Sequence, residues 1–274
     1  MALSIDEFNF VRSFVRERSA VVLDSDKQYL VEARLTPLLR GEGLPTLSHL
    51  VSKLRIERFG PLALRVVDAM TTNETSFFRD IHPFEALRTT ILPELIATRQ
   101  ATRRLTIWTA ACSSGQEPYT IAMMIRKSFP ALASWSVRIL ATDISSQMVA
   151  RTQLGRYSQL EVNRGLPAQY LPYFRRNGLE FEIDPAIRNM VETFQLNLVE
   201  SWPVAIPRVD VIFLRNVMIY FDVPTKKDLL GRMRQRLAPD GALFLGGAES
   251  PLNLDDGYER VPIAQAGCYR LRGR

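Results

Sequence analysis

The sequence predicts an α/β protein: a largely parallel sheet covered by helices, preceded by an all-helical domain and interrupted by a small antiparallel β insertion. Three observations predict it. Residues 1–70 carry apolar stripes at helical spacing and no strand signal. From residue 99 onward, apolar runs alternate with amphipathic helical stretches. Between Tyr157 and Phe194 that alternation breaks.

In chain order, Ile5, Phe8, Val11, Phe14 and Val15 recur at helical spacing, with Ser4 and Asp6 placed to cap the start. Leu30, Ala33, Leu38 and Leu39 give a weaker second stripe, with Lys27, Arg34 and Arg40 on its other faces and Gly41 and Gly43 at its end. Leu47, Leu50, Val51 and Leu54 form a third. Leu62, Leu64, Val66 and Val67 form a fourth, after a proline suited to a first helical turn, Pro61. Charges here nearly cancel: ten basic residues from Arg12 to Arg65 against nine acidic ones from Asp6 to Asp68.

A helix over Pro83–Arg99 leads into the second region, and residues 71–98 read as a linker. Strands are expected at Leu105–Ala110, Val137–Asp143, Val209–Leu214 and Ala242–Gly246, and helices at Glu117–Lys127, Ser145–Arg151 and Thr225–Leu237. Such alternation argues a parallel sheet buried on both faces. Tyr258–Leu271 reads as one or two closing strands. LEFEID (Leu179–Asp184) and IRNMVETFQ (Ile187–Gln195) read as an antiparallel pair joined at Asp184–Pro185, which places the insertion at about 157–195 within a domain spanning 99–274.

Composition narrows the function. The chain has 274 residues, a net charge of +6 and a pI of about 9.5. That balance favours acidic partners, but the excess is diffuse and contains no Lys/Arg block that would mark nucleic-acid binding. Two cysteines, Cys112 and Cys268, form neither a zinc spacing nor a disulfide framework and fit a reducing cytoplasm. Two histidines, His49 and His82, exclude a His-rich metal site. MALSIDEFNF is not a signal peptide, and no apolar run is long enough to span a membrane. No long exposed apolar stripe argues against a monomer.

Chemistry concentrates in a few segments. WTAACSSGQEPYT, Trp108–Thr120, is an apolar strand that breaks into a small-residue loop and opens a helix, as a sheet edge does to receive a nucleotide-type cofactor. Ala110–Gly115 holds a single glycine, so it is not the GxGxxG of a pyrophosphate binder, whereas a cofactor without phosphates tolerates it. Glu117 either accepts from a cofactor amine or serves the helix dipole. Asp143, ending LATDIS, either accepts from ribose hydroxyls or caps the next helix. In FLRNVMIYF the Arg215–Asn216 pair follows a buried strand and points at a crevice. Asn197 in QLNL holds a similar strand-end position, and Tyr220 lies four residues beyond Asn216. In TTNETSFFRD, Thr71–Asp80, Arg79 is a fork donor suited to a carboxylate, with a surface ion pair to Asp80 or Glu85 as the plain alternative. Phe77 and Phe78 read as core. A Walker loop, a GxSxG, a Ser/His or Cys/His pair and the Asn/Asp-Pro-Pro-Tyr/Phe run of base-amine methylases are all missing. A carboxylate nucleophile fits that pattern: with a reference pKa of about 4 it is already ionised, and it needs positioning rather than a general base.

The ordered set TTNETSFFRD, WTAACSSGQEPYT, LATDIS, QLNL, FLRNVMIYF and LAPDGALFLGGAES resembles the CheR-type chemotaxis receptor methyltransferases across nearly the whole chain. The resemblance implies a class I S-adenosylmethionine-dependent methyltransferase (Rossmann-like) sheet. It implies methyl transfer to glutamates of methyl-accepting chemotaxis receptors, giving γ-methyl esters and S-adenosylhomocysteine, without a metal. Carried over by motif, Asn73, Thr75 and Arg79 contact the methionine end of the cofactor and the reacting region. Glu117 holds the amino-acid portion, Asp143 takes the ribose, and Asn197, Leu198, Asn216 and Val217 line the adenosine pocket. Arg79 and Tyr220 orient the substrate carboxylate. The N-terminal helices recognise the receptor's helical bundle, with Lys27, Arg34 and Arg40 as candidates. Some members grip a receptor tail peptide with the β insertion; here the short Arg175–Gly178 turn implies independence of it. Two other readings stay open on sequence alone: a methyltransferase acting on RNA or a small molecule, and a non-catalytic receptor binder.

Overall fold

The computed structural model describes residues 2–202, 206–263 and 265–273. The chain forms two compact units: one holds the chain up to Thr72 with Tyr220–Thr225, the other Asn73–Ile219 and the chain from Lys226 on.

The first unit contains α1 (Ile5–Ser19), α2 (Gln28–Glu42), α3 (Leu47–Ile56) and α4 (Pro61–Met70). A reciprocal Ser4–Glu7 capping box starts α1. Phe8, Val11, Phe14 and Val15 are buried, whereas Ile5, in the first turn, is 77% exposed. On α2 the buried stripe is Val31 and Leu35 rather than the one expected from Leu30, Ala33, Leu38 and Leu39. Bulky side chains occupy most of that helix, so periodicity alone left its phase undetermined. On α4, Leu62, Val66 and Val67 are buried and Leu64 is exposed. Arg34 reaches from α2 to the end of α4, donating to the carbonyls of Met70 (2.7 Å) and Thr71 (3.2 Å) and to Thr72 Oγ1 (3.0 Å). These are the carbonyls a helix end leaves unsatisfied.

The second unit opens with α5 (His82–Ala86), a π-helical turn at Leu87–Ile91 and α6 (Leu92–Thr98). Its strands are β1 (Arg104–Ala110), β2 (Ser136–Asp143), β3 (Arg156–Ser158), β4 (Phe174–Asn177), β5 (Glu180–Ile183), β6 (Val191–Gln195), β7 (Val209–Leu214), β8 (Leu237–Leu245), β9 (Tyr258–Arg260) and β10 (Gly267–Leu271). Between them run α7 (Gln116–Ser128), α8 (Ser146–Leu154), α9 (Gln159–Asn163), α10 (Pro185–Arg188) and α11 (Val223–Arg236). Seven strands form one sheet in the order β6-β2-β1-β7-β8-β10-β9. The first five are mutually parallel, and β10 and β9 close the far edge antiparallel. Every residue of β7 is buried, as its unbroken VDVIFL run requires in the middle of a parallel sheet. Phe84, Phe213 and Phe244 stack in succession across it.

The insertion corrects one expectation. Its sheet is β3-β5-β4, antiparallel, built from residues between Arg156 and Ile183. Val191–Gln195 does not pair with Glu180–Ile183; it joins the main sheet beside β2. Asp184 explains the change of direction: its carboxylate accepts from Ala186 N–H at 2.8 Å and caps α10, which turns the chain away.

Candidate active site

Five parallel strands end on one edge, and most of the singled-out residues of this unit fall there. The Ala110–Gly115 loop leaves β1, Asp143 ends β2, Asn197 and Leu198 follow β6, and Asn216 and Val217 follow β7. In an open α/β sheet this carboxyl edge is where ligands bind.

The loop after β1 is tightly specified. Ala111, Ser113 and Gly115 have φ of 61°, 51° and 93°. A Cβ on Gly115 would lie 2.7 Å from Thr152 Cγ2, so only glycine fits that turn. Cys112 N–H donates to the Thr142 carbonyl, Thr152 Oγ1 to the Ser113 carbonyl and Tyr157 Oη to the Ser114 carbonyl. Asp143, 4% exposed, accepts from Ser113 N–H at 2.8 Å and Ser145 N–H at 2.9 Å. The cap of α8 is Ser145, not Asp143. Burial raises the Asp143 pKa, and these backbone bonds partly offset it. Ser113 Oγ donates to the Asn73 carbonyl at 2.7 Å, which ties the 73–81 segment to the loop.

That segment is held from both ends. Glu74 pairs with Arg164, Thr75 is half-buried and Phe77 is fully buried. Phe78 N–H donates to Thr120 Oγ1 at 3.2 Å. Phe78, Asp80 and Ile81 have φ of 50°, 62° and 26°. Such backbone costs on the order of 1 kcal/mol or more per residue and persists where its surroundings impose it. Arg79 Nη1 donates to the Glu74 carbonyl at 2.9 Å, and Asp80 pairs not with Arg79 but with Arg215.

Arg215 organises the centre. Its side chain is 2% exposed. Nη1 donates to Glu117 Oε2 at 2.8 Å; Nη2 donates to the Arg79 carbonyl at 2.8 Å and Asp80 Oδ2 at 2.9 Å. Burial raises the Glu117 pKa, and the Arg215 and Arg79 guanidiniums pull it back. Glu117 is thus engaged by a cation across the site rather than serving the helix dipole alone. The sequence marks Arg215 only as the companion of Asn216, and nothing in it marks Glu249, whose carboxylate holds the backbone of Asn216 and Val217. The signal for Arg215 was a lone cation following an unbroken apolar strand.

Elsewhere, Asn197 Nδ2 donates to Glu200 Oε1, and the carbonyl of buried Leu198 accepts from Trp202 Nε1 and Arg232 Nη1. Lys27, Arg34, Arg40 and Tyr220 belong to the first unit. Lys27 pairs with Asp26 at 3.2 Å, Arg40 is exposed, and the Tyr220 carbonyl accepts from Val22 N–H at 2.9 Å. Among the described residues no group of three or more His, Cys, Asp or Glu could hold a metal, and no helix is long and apolar enough to cross a membrane.

A parallel sheet with an acid ending its second strand, and a small-residue loop ending its first, defines a class I methyltransferase-type fold. Two family models match this chain: the all-alpha domain of CheR methyltransferase over residues 6–71, and the CheR methyltransferase SAM binding domain over residues 73–266. It is 42% identical to chemotaxis protein methyltransferase 1 of Pseudomonas aeruginosa, covering 99% of this chain and 100% of that protein. It is 39% identical to the Cher2 methyltransferase of Pseudomonas putida (97% and 98% covered), and 38% identical to the chemotaxis protein methyltransferase of Vibrio parahaemolyticus (99% of each). The chain belongs to the CheR methyltransferase family, and its methyl donor is S-adenosylmethionine (SAM).

The residues present fit that cofactor. Arg215 Nε–H is buried and finds no acceptor among the described residues, which leaves a donor for a carboxylate. Asp143 takes Ser113 N–H on one oxygen and Ser145 N–H on the other and has capacity for more, as ribose hydroxyls require. Glu117, its side chain 13% exposed, supplies an acceptor for an ammonium group.

Proposed function

We propose that this protein transfers a methyl group from SAM to glutamate γ-carboxylates in the cytoplasmic helical bundle of chemotaxis receptors, giving methyl esters and S-adenosylhomocysteine in the cytoplasm. The observation that carries this reading is the pair of buried Arg215 with partly buried Glu117, in which the other arm of Arg215 grips the Arg79 carbonyl. It presets the backbone of Arg79, a fork donor suited to an incoming carboxylate.

In this reading Asn73, Thr75, Arg79 and Glu117 serve the methionine end, Asp143 the ribose, and Asn197, Leu198, Asn216 and Val217 the adenosine. SAM supplies a methyl on a sulfonium that departs as a neutral thioether. Arg79 aligns the substrate carboxylate as a planar fork. It must do so without over-stabilising the ground state, because negative charge on that carboxylate disappears in the transition state. No residue need take a proton, since the nucleophile arrives ionised. Transfer is fastest where water is kept from solvating that carboxylate. Tyr220 is carried by the resemblance alone, as a second group for that carboxylate. Lys27, Arg34 and Arg40 face the acidic receptor surface in this reading, the protein acts as a monomer, and no receptor tail peptide is needed. Micromolar binding of such a peptide in a titration would sink the last point.

The test is methyl transfer from radiolabelled SAM to a receptor cytoplasmic fragment, with Arg79→Ala in parallel. Label released as methanol by mild base, and reduced by two orders of magnitude or more in the variant, is expected. Label that enters RNA but not the receptor fragment would overturn the substrate.

A further inference from the structure

Glu249 is an acid with no assigned task, and its surroundings are unusual. The residue is 7% exposed, and its carboxylate accepts four backbone N–H bonds. Oε2 takes those of Gly246 at 2.7 Å and Asn216 at 2.8 Å; Oε1 takes those of Val217 at 2.9 Å and Ile219 at 3.3 Å. The donors come from two loops. Gly246 directly follows β8, and residues 216–219 follow β7, the parallel neighbour with which β8 ends in register at Leu214 and Leu245. One charge therefore staples two adjacent strand ends at the carboxyl edge of the sheet.

An ionised carboxylate suits this place better than any other side chain. It has about four lone-pair positions and no hydrogen to oppose an incoming N–H, and bonds to it are roughly twice as strong as neutral ones. The corner it holds turns through Asn216 at φ 59°, the left-handed region that Asn tolerates better than other residues with a Cβ, and Glu249 holds the Asn216 N–H there at 2.8 Å. The space is also full. A Cβ on Gly246 would stand 2.8 Å from Glu249 Oε2 and 2.9 Å from Asn216 Nδ2, so the glycine, the carboxylate and the Asn216 amide are packed against one another. Moving any one of them moves the Asn216 side chain.

We infer that Glu249 is a positioning residue for cofactor binding, which fixes Asn216 and Val217 at the crevice by clamping the β7 and β8 ends together. This rests on the reading that Asn216 and Val217 line the adenosine pocket. It assigns to Glu249 no contact with SAM and no part in the chemistry.

The experiment compares wild type, Glu249→Gln, Gly246→Ala and Asn216→Ala in the full chain. It reads SAM Kd by calorimetry, thermal unfolding, KM for SAM, KM for receptor fragment, and kcat. Glu249→Gln keeps the shape but turns an amide toward N–H groups. It is expected to fold, to weaken SAM binding about tenfold or more, and to leave KM for the receptor fragment and kcat at saturating SAM within about twofold. Gly246→Ala, which crowds the same point from the backbone, is expected to do the same. A purely structural role would lower the unfolding temperature without moving SAM Kd, and that result in Glu249→Gln would overturn the proposal. If Glu249→Gln does not fold, Glu249→Asp, which keeps the charge but draws it back from the two loops, decides: an unchanged Kd there overturns it and a weakened one supports it. Wild-type SAM affinity in Asn216→Ala would instead refute the pocket reading, and the proposal with it. Weakened binding in Asn216→Ala alone would leave that reading standing and refute only the role of Glu249.

Discussion

At the residue scale, two carboxylates of the proposed site stand where burial opposes charge. Burial raises Glu117 above its ordinary 4.5 and Asp143 above its ordinary 3.8; Arg215 and the backbone donors partly offset this. A carboxyl group whose folded pKa exceeds its unfolded value costs stability when ionised. That cost is present above the folded pKa and gone below the unfolded one, so each group gains protons as pH falls sooner than it would in the unfolded chain. Only the ionised form of Glu117 accepts from an ammonium on both oxygens. SAM affinity is therefore expected to weaken as pH falls, starting above pH 4.5 rather than below it, and Glu117→Gln is expected to weaken binding about tenfold at neutral pH and to flatten the profile. Calorimetric titrations from pH 8 down to pH 5 check this. A flat wild-type profile, or an unchanged slope in the variant, would refute the assignment of Glu117.

At the element scale, the segment carrying Arg79 is anchored by an aromatic residue rather than by regular structure. Phe77 is fully buried and packs edge-on against Tyr157 at 5.0 Å and Phe174 at 5.5 Å, one from β3 and one from β4. Phe77→Ala is expected to cost about 3–5 kcal/mol in urea unfolding and to lower methyl transfer more than a surface change of equal size. A loss below 1 kcal/mol would mean that the insertion does not anchor this segment. Phe77 was legible as core because two aromatics between polar runs seldom stay exposed. The pairing of the insertion was not. Val191–Gln195 has the same alternation whether it pairs in a hairpin or at a parallel edge, and only the Asp184 cap decides between them. The loop after β1 and the ends of β2 and β7 were readable because each is a change from apolar run to small or polar residue. Glu249 was not, because nothing local marks an acid that answers donors more than thirty residues away. Long-range polar satisfaction leaves no periodic trace.

At the scale of the whole molecule, charge divides the labour of recognition. The net charge of +6 is spread over the chain, while the helical N-terminal segment is nearly neutral, so in the proposed reading attraction to an acidic receptor comes from particular side chains. The three candidates are not equivalent. Arg34 spends its donors on the Met70 and Thr71 carbonyls and Thr72 Oγ1, so its loss acts first on the end of α4. Arg40 is exposed, and Lys27 has only its neighbour Asp26 as an ion-pair partner among the described residues. Reversing both charges, Lys27→Glu with Arg40→Glu, is expected to raise KM for the receptor fragment several-fold, to reduce the rise of that KM with added salt, and to leave SAM Kd unchanged. Arg34→Ala is expected to lower stability by about 1–3 kcal/mol through the carbonyls it leaves unpaired, with less effect on the salt dependence. Steady-state kinetics from about 50 to 300 mM salt, where screening shortens from beyond 10 Å to well under it, separates the two behaviours. If the double reversal leaves KM and its salt slope as in wild type, recognition does not run through Lys27 and Arg40, and the basic surface that carries it must be sought among other residues.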